Sequence, residues 1–495
     1  MIMKKLLFTL MLLLMTMVAF AEKVEVNGLY YELINKTLTA EVVKSDGDSY
    51  SGNIVIPESI EYEGSAYTVT SIGSNSFGFC KNIISVEISN SVRSIKSKAF
   101  YGCVNLKTVS LSNNLEEIGS EAFFACEALS SINFPNSLKT IGSSAFFCCY
   151  SLTSLKIPDS VVSIGGSAFY MCTGLSTVSM GSGVETVKRD AFAGCEKLTS
   201  VNITDLSAWC KIDFSNTGFV EWLENAANPL RYAHHLYLNG EEIVNLVIPE
   251  DIDKLQGSFY GCTGIETVTF YKELKIYSNT FRDCSGLDKV SVPDIKIWFN
   301  STFGSYYANP LKYAHHFYIG SEEIKELVIP EGIVNISNMF TGASCLVSVS
   351  LPNSISSVCQ SAFYGCSSLK SIVLSGSTSE ILSWAFSKCP EITDIYCYAE
   401  KVPKTASDCF EDSYVEYATL HVPANSISDY ETKEPWKNFK SIVPLEDNDP
   451  KPTNVITISC DEPNKSRWYD LNGRKLDSEP STKGIYINNG KKVAK

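Results

Sequence analysis

Hydrophobic and polar positions repeat without drift along residues 77 to 195. Phe77, Phe100, Phe123, Phe146, Phe169 and Phe192 stand 23 residues apart, and each is followed three residues later by a cysteine: Cys80, Cys103, Cys126, Cys149, Cys172 and Cys195. A fixed period of this size marks a solenoid, in which each repeat is one coil stacked on the next. Within one unit Leu152, Leu155 and Ile157 are apolar, while Ser154 and Lys156 are polar. That alternation describes a short strand with one face inward. Pro158 lacks the N–H to continue a ladder and ends the strand. Val162 and Ile164 are expected to point back into the core, with Gly165-Gly166 as a turn, Ala168-Phe169 as a plug and Cys172 closing the coil. Equivalent strands then pair in parallel about 4.8 Å apart. No coil can bury its apolar side alone, so stability comes from stacking.

The unit SLTSLKIPDSVVSIGGSAFYMC, residues 151–172, resembles the leucine-rich repeats of BspA-like surface proteins. Leu, Pro, Ile-Gly, Ala-Phe and Cys fall at that family's offsets, and the likeness covers most of the chain. It implies a β-dominated leucine-rich-repeat solenoid of the α/β class. Its parallel strands would lie along one face, with irregular or one-turn helical segments opposite. The resemblance further implies a secreted or cell-surface bacterial protein, adhesin-like, with an extracellular protein or glycan as partner. A structural surface protein without a specific ligand is the alternative.

Read in order, residues 1–21 have the form of a signal peptide: Lys4-Lys5, an apolar run from Leu6 to Val18, and Ala19-Phe20-Ala21 as the cleavage site. No Cys follows that point to carry a lipid. Residues 22–70 carry strand signals without the cysteine unit and read as an N-terminal β cap. The solenoid spans residues 71–396. Two inserts interrupt it, residues 205–249 and 294–330, each ending in Leu-Val-Ile-Pro. Both carry Asn-Pro-Leu-Arg/Lys-Tyr-Ala-His-His (Asn228 to His235, Asn309 to His316), so they read as enlarged coils. Residues 397–445 are degenerate repeats forming a C-terminal cap, with Trp436 and Phe439 as an aromatic plug. Residues 446–460 form an acidic, Pro-containing linker. Residues 461–495 form a small β module with hairpin signals at Asn472-Gly473 and Asn489-Gly490. Its Tyr469-Asp470-Leu471-Asn472-Gly473-Arg474 resembles the sorting domains read by type IX secretion machinery, which implies that machinery as a partner. A hairpin module with no sorting role is the other reading.

Composition changes this picture little. The formal net charge is −14, which argues against nucleic acid or an anionic membrane as partner. After the leader no stretch is apolar for the ~20 residues a membrane helix needs. Ten of the 17 cysteines occupy the repeat column. In a secreted protein they suggest disulfides, but side chains in a stacked column all point one way, which favours buried free thiols. No GxSxG, HExxH, P-loop or GxGxxG occurs, so no enzyme and no cofactor is expected, an enzyme built on two converging carboxylates being the remote alternative. The His-His pairs, with Glu241-Glu242 and Glu322-Glu323 nearby, offer a metal reading, but their presence in both inserts favours packing.

The outward strand positions are mostly small and neutral: Ser131, Asn133, Ser154, Thr177 and Ser179 among them. Aromatic residues gather instead in the inserts. Trp209, Trp222, Tyr232, Trp298, Tyr306, Tyr307 and Tyr313 are therefore the candidate ligand-binding residues, set against the reading that they fill the larger coils.

Overall fold

The computed structural model describes residues 22–47, 49–214, 227–277 and 279–452, together with the backbone of 468–469, 475–476, 485–488 and 491–494. By its internal contacts the chain divides into two units, residues 1–198 with 225–229 and residues 199–224 with 230–495. The fold is a leucine-rich-repeat solenoid.

The first unit begins with antiparallel strands Glu22–Val26, Leu29–Ile34 and Thr39–Val43. Asn27-Gly28 makes the first turn with both φ angles positive, as a two-residue hairpin demands. Thr39–Val43 then pairs in parallel with Ser65–Ile72. From there coil stacks on coil in parallel, while Ser59–Tyr62 adds an antiparallel partner to Ser65–Ile72. Ile72, Ile95, Ile118, Ile141, Ile164 and Val187 lie side by side in a ladder whose strands after Ser65–Ile72 are two residues long, all six buried. A second ladder holds Ser51–Ile56, Asn82–Ile88 and Thr108–Ser110, and Ser154–Lys156 pairs with Thr177–Met180.

Three sequence expectations shift here. Each coil carries two parallel ladders, so short strands stand where irregular or one-turn helical segments were expected. The parallel stacking begins inside the expected cap, at Thr39. Val161 is the buried residue and Val162 is exposed, because Val161 follows the turn bond from Val161 N to Pro158 O while Ile164 takes the inward place in the strand.

The Ala-Phe-x-x-Cys stretch is a corner. Its backbone bonds to the next coil, as from Phe100 N to Ala122 O at 2.7 Å and Gly102 N to Phe124 O at 2.7 Å. The corner holds two left-handed residues, for example Ser167 and Met171, which lets the chain reverse within one coil. The Phe rings stack inside it, fully buried, with centroids 5.1 Å apart from Phe100 to Phe123 and from Phe123 to Phe146. From Cys103 to Cys195 each column thiol donates to the Phe carbonyl of the preceding coil, as Cys126 Sγ to Phe100 O and Cys149 Sγ to Phe123 O, both at 3.3 Å. The cysteines of the described residues are unpaired. A Cβ on Gly165 would stand 2.5 Å from the Gly142 carbonyl carbon, so the Ile-Gly position is set by close approach of successive coils.

The second unit repeats this plan. Asn245–Val247, Thr267–Thr269, Lys289–Val292 and His316–Ile319 pair in parallel. Glu326–Val328, Ser348–Ser350, Ser371–Leu374, Asp394–Cys397, Thr419–Val422 and Ser441–Pro444 do the same. The expected plug closes the column: Phe410 meets Trp436 and Phe439 edge-on, and buried Trp436 donates its Nε1–H to Thr405 Oγ1 at 3.1 Å. In the tail the backbone of Lys475–Leu476, Trp468–Tyr469, Ile485–Asn488 and Lys491–Ala494 forms an antiparallel sheet in that order. No helix among the described residues is long and apolar enough to cross a membrane.

Candidate functional site

The inserts replace a regular corner with helices. Ile295–Asn300 starts at Asp294, whose carboxylate accepts from Lys296 N at 2.9 Å. Trp298 takes the column position and is 0% exposed, with its ring 4.8 Å from both Phe303 and Phe317. Its Nε1–H donates to Met339 O at 3.2 Å. Trp209, 1% exposed, donates likewise to Ser258 O at 2.9 Å. This corrects the sequence expectation for both residues: each indole is a core plug with its polar atom satisfied, and neither can reach a ligand. Trp222 lies outside the described residues.

The short helices Leu230–Ala233 and Leu311–Ala314 set the outer surface. Each packs on the glycine of a later corner. A Cβ on Gly261 would lie 2.8 Å from Arg231 Cα, and one on Gly342 would lie 2.6 Å from Lys312 Cα. The helix therefore delivers a cation into the outer column of the solenoid. Arg231 and Arg282 flank the Tyr260 ring at 5.6 and 5.7 Å. Arg282 also lies 4.9 Å from the Tyr307 ring, and Lys312 lies 3.6 Å from Tyr307 and 4.0 Å from Tyr306. Arg231 covers Tyr232 at 5.8 Å and Lys312 reaches Tyr313 at 5.2 Å. Cation and ring alternate along this face. Lys312 has no carboxylate partner in an ion pair among the described residues, and its burial pulls its pKa down to about 8, with Asp283 opposing and nearby Arg282 acting in the same sense as burial. Of the candidate residues, Tyr232, Tyr306, Tyr307 and Tyr313 thus share one half-buried ladder.

The histidines are built into the same inserts. His234 and His315 place Nδ1 at 2.8 and 3.0 Å from Gly261 O and Gly342 O. His235 meets Glu242 at 2.6 Å, and His316 meets Glu323. Each ring has a protein partner, and no group of three or more metal-ligating side chains forms among the described residues.

At the end of the ladder the surface opens into a groove of about 560 Å³. Tyr306, Tyr364 and Trp384 supply its rings, and Lys388, Glu411 and Asp412 its charges. Tyr306 and Tyr364 meet edge-on with centroids 6.3 Å apart, and Lys388 lies 5.4 Å from the Tyr364 ring. Trp384 is 41% exposed and left-handed, at φ 58°. The corresponding corner residue is Lys98, Glu121, Ser144, Ser167 or Asp190 in the regular coils. Sequence reasoning missed Tyr364 and Trp384, which lie in regular coils and not in an insert. The signal for Trp384 was present: an aromatic stands where every one of those coils has a polar residue.

A family model described as a BspA type leucine rich repeat region matches in six copies, over residues 54–149, 93–219, 232–309 and 313–432. Among solved structures the chain is similar to a leucine-rich repeat protein from Bacteroides ovatus, at 26% identity over 86% of this chain and 100% of that one, with a TM-score of 0.50. It is also similar to the leucine rich repeat protein of T. pallidum (29% identity, 37% of this chain and 85% of that one, TM-score 0.33). A leucine rich cell surface protein from Faecalibacterium prausnitzii matches at 19% identity over 88% of this chain and 99% of that one, with a TM-score of 0.34. No curated protein matches the sequence.

Proposed function

The chain belongs to the BspA-type leucine-rich-repeat family, and from that premise we propose that it is a secreted or cell-surface bacterial protein that binds an extracellular partner in the manner of an adhesin. The observation that carries the reading is the groove beside Tyr306, Tyr364 and Trp384. A passive surface layer has no use for an indole held exposed in a left-handed corner, whereas binding hot spots are rich in Trp and Tyr. The Lys4-Lys5 leader with its Ala19-Phe20-Ala21 site supports export. The tail, residues 461–495, fits a sorting module: its hairpins template themselves without the repeats.

Two measurements test this reading. The purified protein is screened against immobilised collagen, laminin and defined glycans; saturable binding to at least one is the expected outcome, and none bound sinks the reading. Deleting residues 461–495 in the native host should leave the melting temperature nearly unchanged while the protein accumulates inside the outer membrane. Normal surface levels of the truncated protein would remove the sorting role.

A further inference from the structure

We propose, resting on the binding role argued above, that the groove beside Trp384 is the recognition site for a neutral oligosaccharide. Its volume of about 560 Å³ lies in the range of small-ligand sites. The lining identifies the chemistry. None of its residues is aliphatic: the apolar surface comes from Tyr306, Tyr364 and Trp384, and the rest from amides, hydroxyls, charges and one glycine. A lipid or an apolar peptide anchor would meet no aliphatic wall here. A pyranose ring is different, because it has one face of C–H bonds and a rim of hydroxyls. The first stacks on an aromatic face, and the second needs donors and acceptors in equal supply.

The groove provides both. Asn338 and Gln360 carry amides, each able to donate and accept, and Gln360 is exposed with no side-chain partner among the described residues. Glu411 and Asp412 are exposed acceptors, and Lys388 is a donor. The Ser305 hydroxyl oxygen is buried and finds no hydrogen-bond partner among the described residues, which is an unmet polar demand at the groove wall. One ammonium against two carboxylates disfavours a sialylated or sulfated chain and any phosphorylated ligand.

An extended peptide is disfavoured by the backbone. The corner N–H groups around the groove are already spent between coils: Ser361 N on Ser383 O, Lys388 N on Glu411 O and Gly342 N on Tyr364 O. No free strand edge is offered for β-augmentation. The left-handed φ of Trp384 is shared by the equivalent corner residue of the regular coils, so what sets this coil apart is the exposed ring and not the backbone.

Trp384→Gly removes the ring and relaxes the corner, so it tests the site without threatening the fold. The full-length secreted protein and this variant are presented to an array of neutral, sialylated and sulfated oligosaccharides, and in parallel to immobilised collagen and laminin. The expected result is retention of neutral glycans by the wild type, weakened at least ~10-fold in Trp384→Gly at an unchanged or raised melting temperature. The same glycans should change the indole fluorescence of the wild type and leave that of the variant unchanged. Binding confined to anionic glycans, or neutral-glycan binding indifferent to Trp384→Gly, overturns the proposal. Capture of collagen or laminin alone overturns it too, while leaving the adhesin-like role intact. Capture of nothing overturns both.

Discussion

The outer columns of the two units are built in different ways. Along residues 79–170 the column is a stack of rings: Tyr101, Phe124, Phe147 and Tyr170 lie face to face at 4.6 Å between successive centroids. Along residues 231–388 cations alternate with tyrosines instead. The difference follows from coil length. Identical 23-residue coils place each ring directly on the last. Enlarged coils interpose a helix, and the helix sets Arg231 or Lys312 where a ring would stand. The regular stretch leaves a continuous, half-buried aromatic ridge. The irregular stretch tilts Tyr306 against Tyr364, and the groove opens there. Regularity closes the surface, and the departure from it makes room for a ligand.

The largest effect that would test this contrast is alkaline. Burial pushes the Cys103 thiol up to about 12, and it holds Cys126, Cys149 and Cys172 well above the ordinary thiol range. Below about pH 8.5 folded and unfolded chains both keep these protons. Above it the unfolded chain loses them while the folded chain does not, so stability falls as pH rises. The loss is about 1.4 kcal/mol per pH unit for each such thiol. The urea midpoint of residues 80–195 should drop steeply between pH 8 and pH 10; a flat profile would mean that the column is open to water.

Next in size is the inner ring. Phe123→Ala should cost about 3–5 kcal/mol through the cavity left between Phe100 and Phe146. Phe147→Ala, in the half-buried outer stack, should cost about 1–2 kcal/mol. Equal losses in urea denaturation would erase the distinction between inner plug and outer ridge.

Lys312 gives the opposite pH response. Its pKa is about 8 in the fold, below the lysine value in the unfolded chain, so burial disfavours its charge. Both states are protonated below pH 8 and the cost is present. Between pH 8 and about 10.4 the unfolded chain holds the extra proton, and this residue's contribution to stability rises with pH. NMR of ¹³C-methylated lysines should show one amine titrating near pH 8; ordinary titration of all of them would mean that the cation–ring ladder is solvated. The smallest effect concerns Trp384→Gly, which should stay within about 1 kcal/mol of the wild type, since the lost packing is offset by relief of the left-handed strain. A large destabilisation would make Trp384 a structural wedge.

Most of the fold was legible because a period fixes burial. Once Phe77 to Phe192 align at 23 residues, every residue at their offset is core, and Phe340, Phe363 and Phe386 follow. What escaped was decided off the period. The ladder from Ile95 to Val187 uses two-residue strands such as Ser163–Ile164, too short to alternate visibly. Trp209 and Trp298 looked like ligand contacts because they sit in unusual segments, yet the enlarged coil needs a larger plug than Phe, and an indole supplies it. Trp384 was overlooked for the converse reason: its coil is regular, and only comparison across coils shows that it stands at a polar corner.

The bond from each thiol to the preceding coil's phenylalanine carbonyl has a kinetic consequence. A sulfur held there is protonated and out of reach of any oxidant, since thiol–disulfide exchange requires the thiolate. Before the coils close, the same chain exposes cysteines at even spacing, each able to pair with several others. In an oxidising compartment folding and oxidation therefore compete. Each coil that docks withdraws one thiol from the contest and presents the acceptor for the next, so coil-by-coil assembly carries its own protection against mispairing.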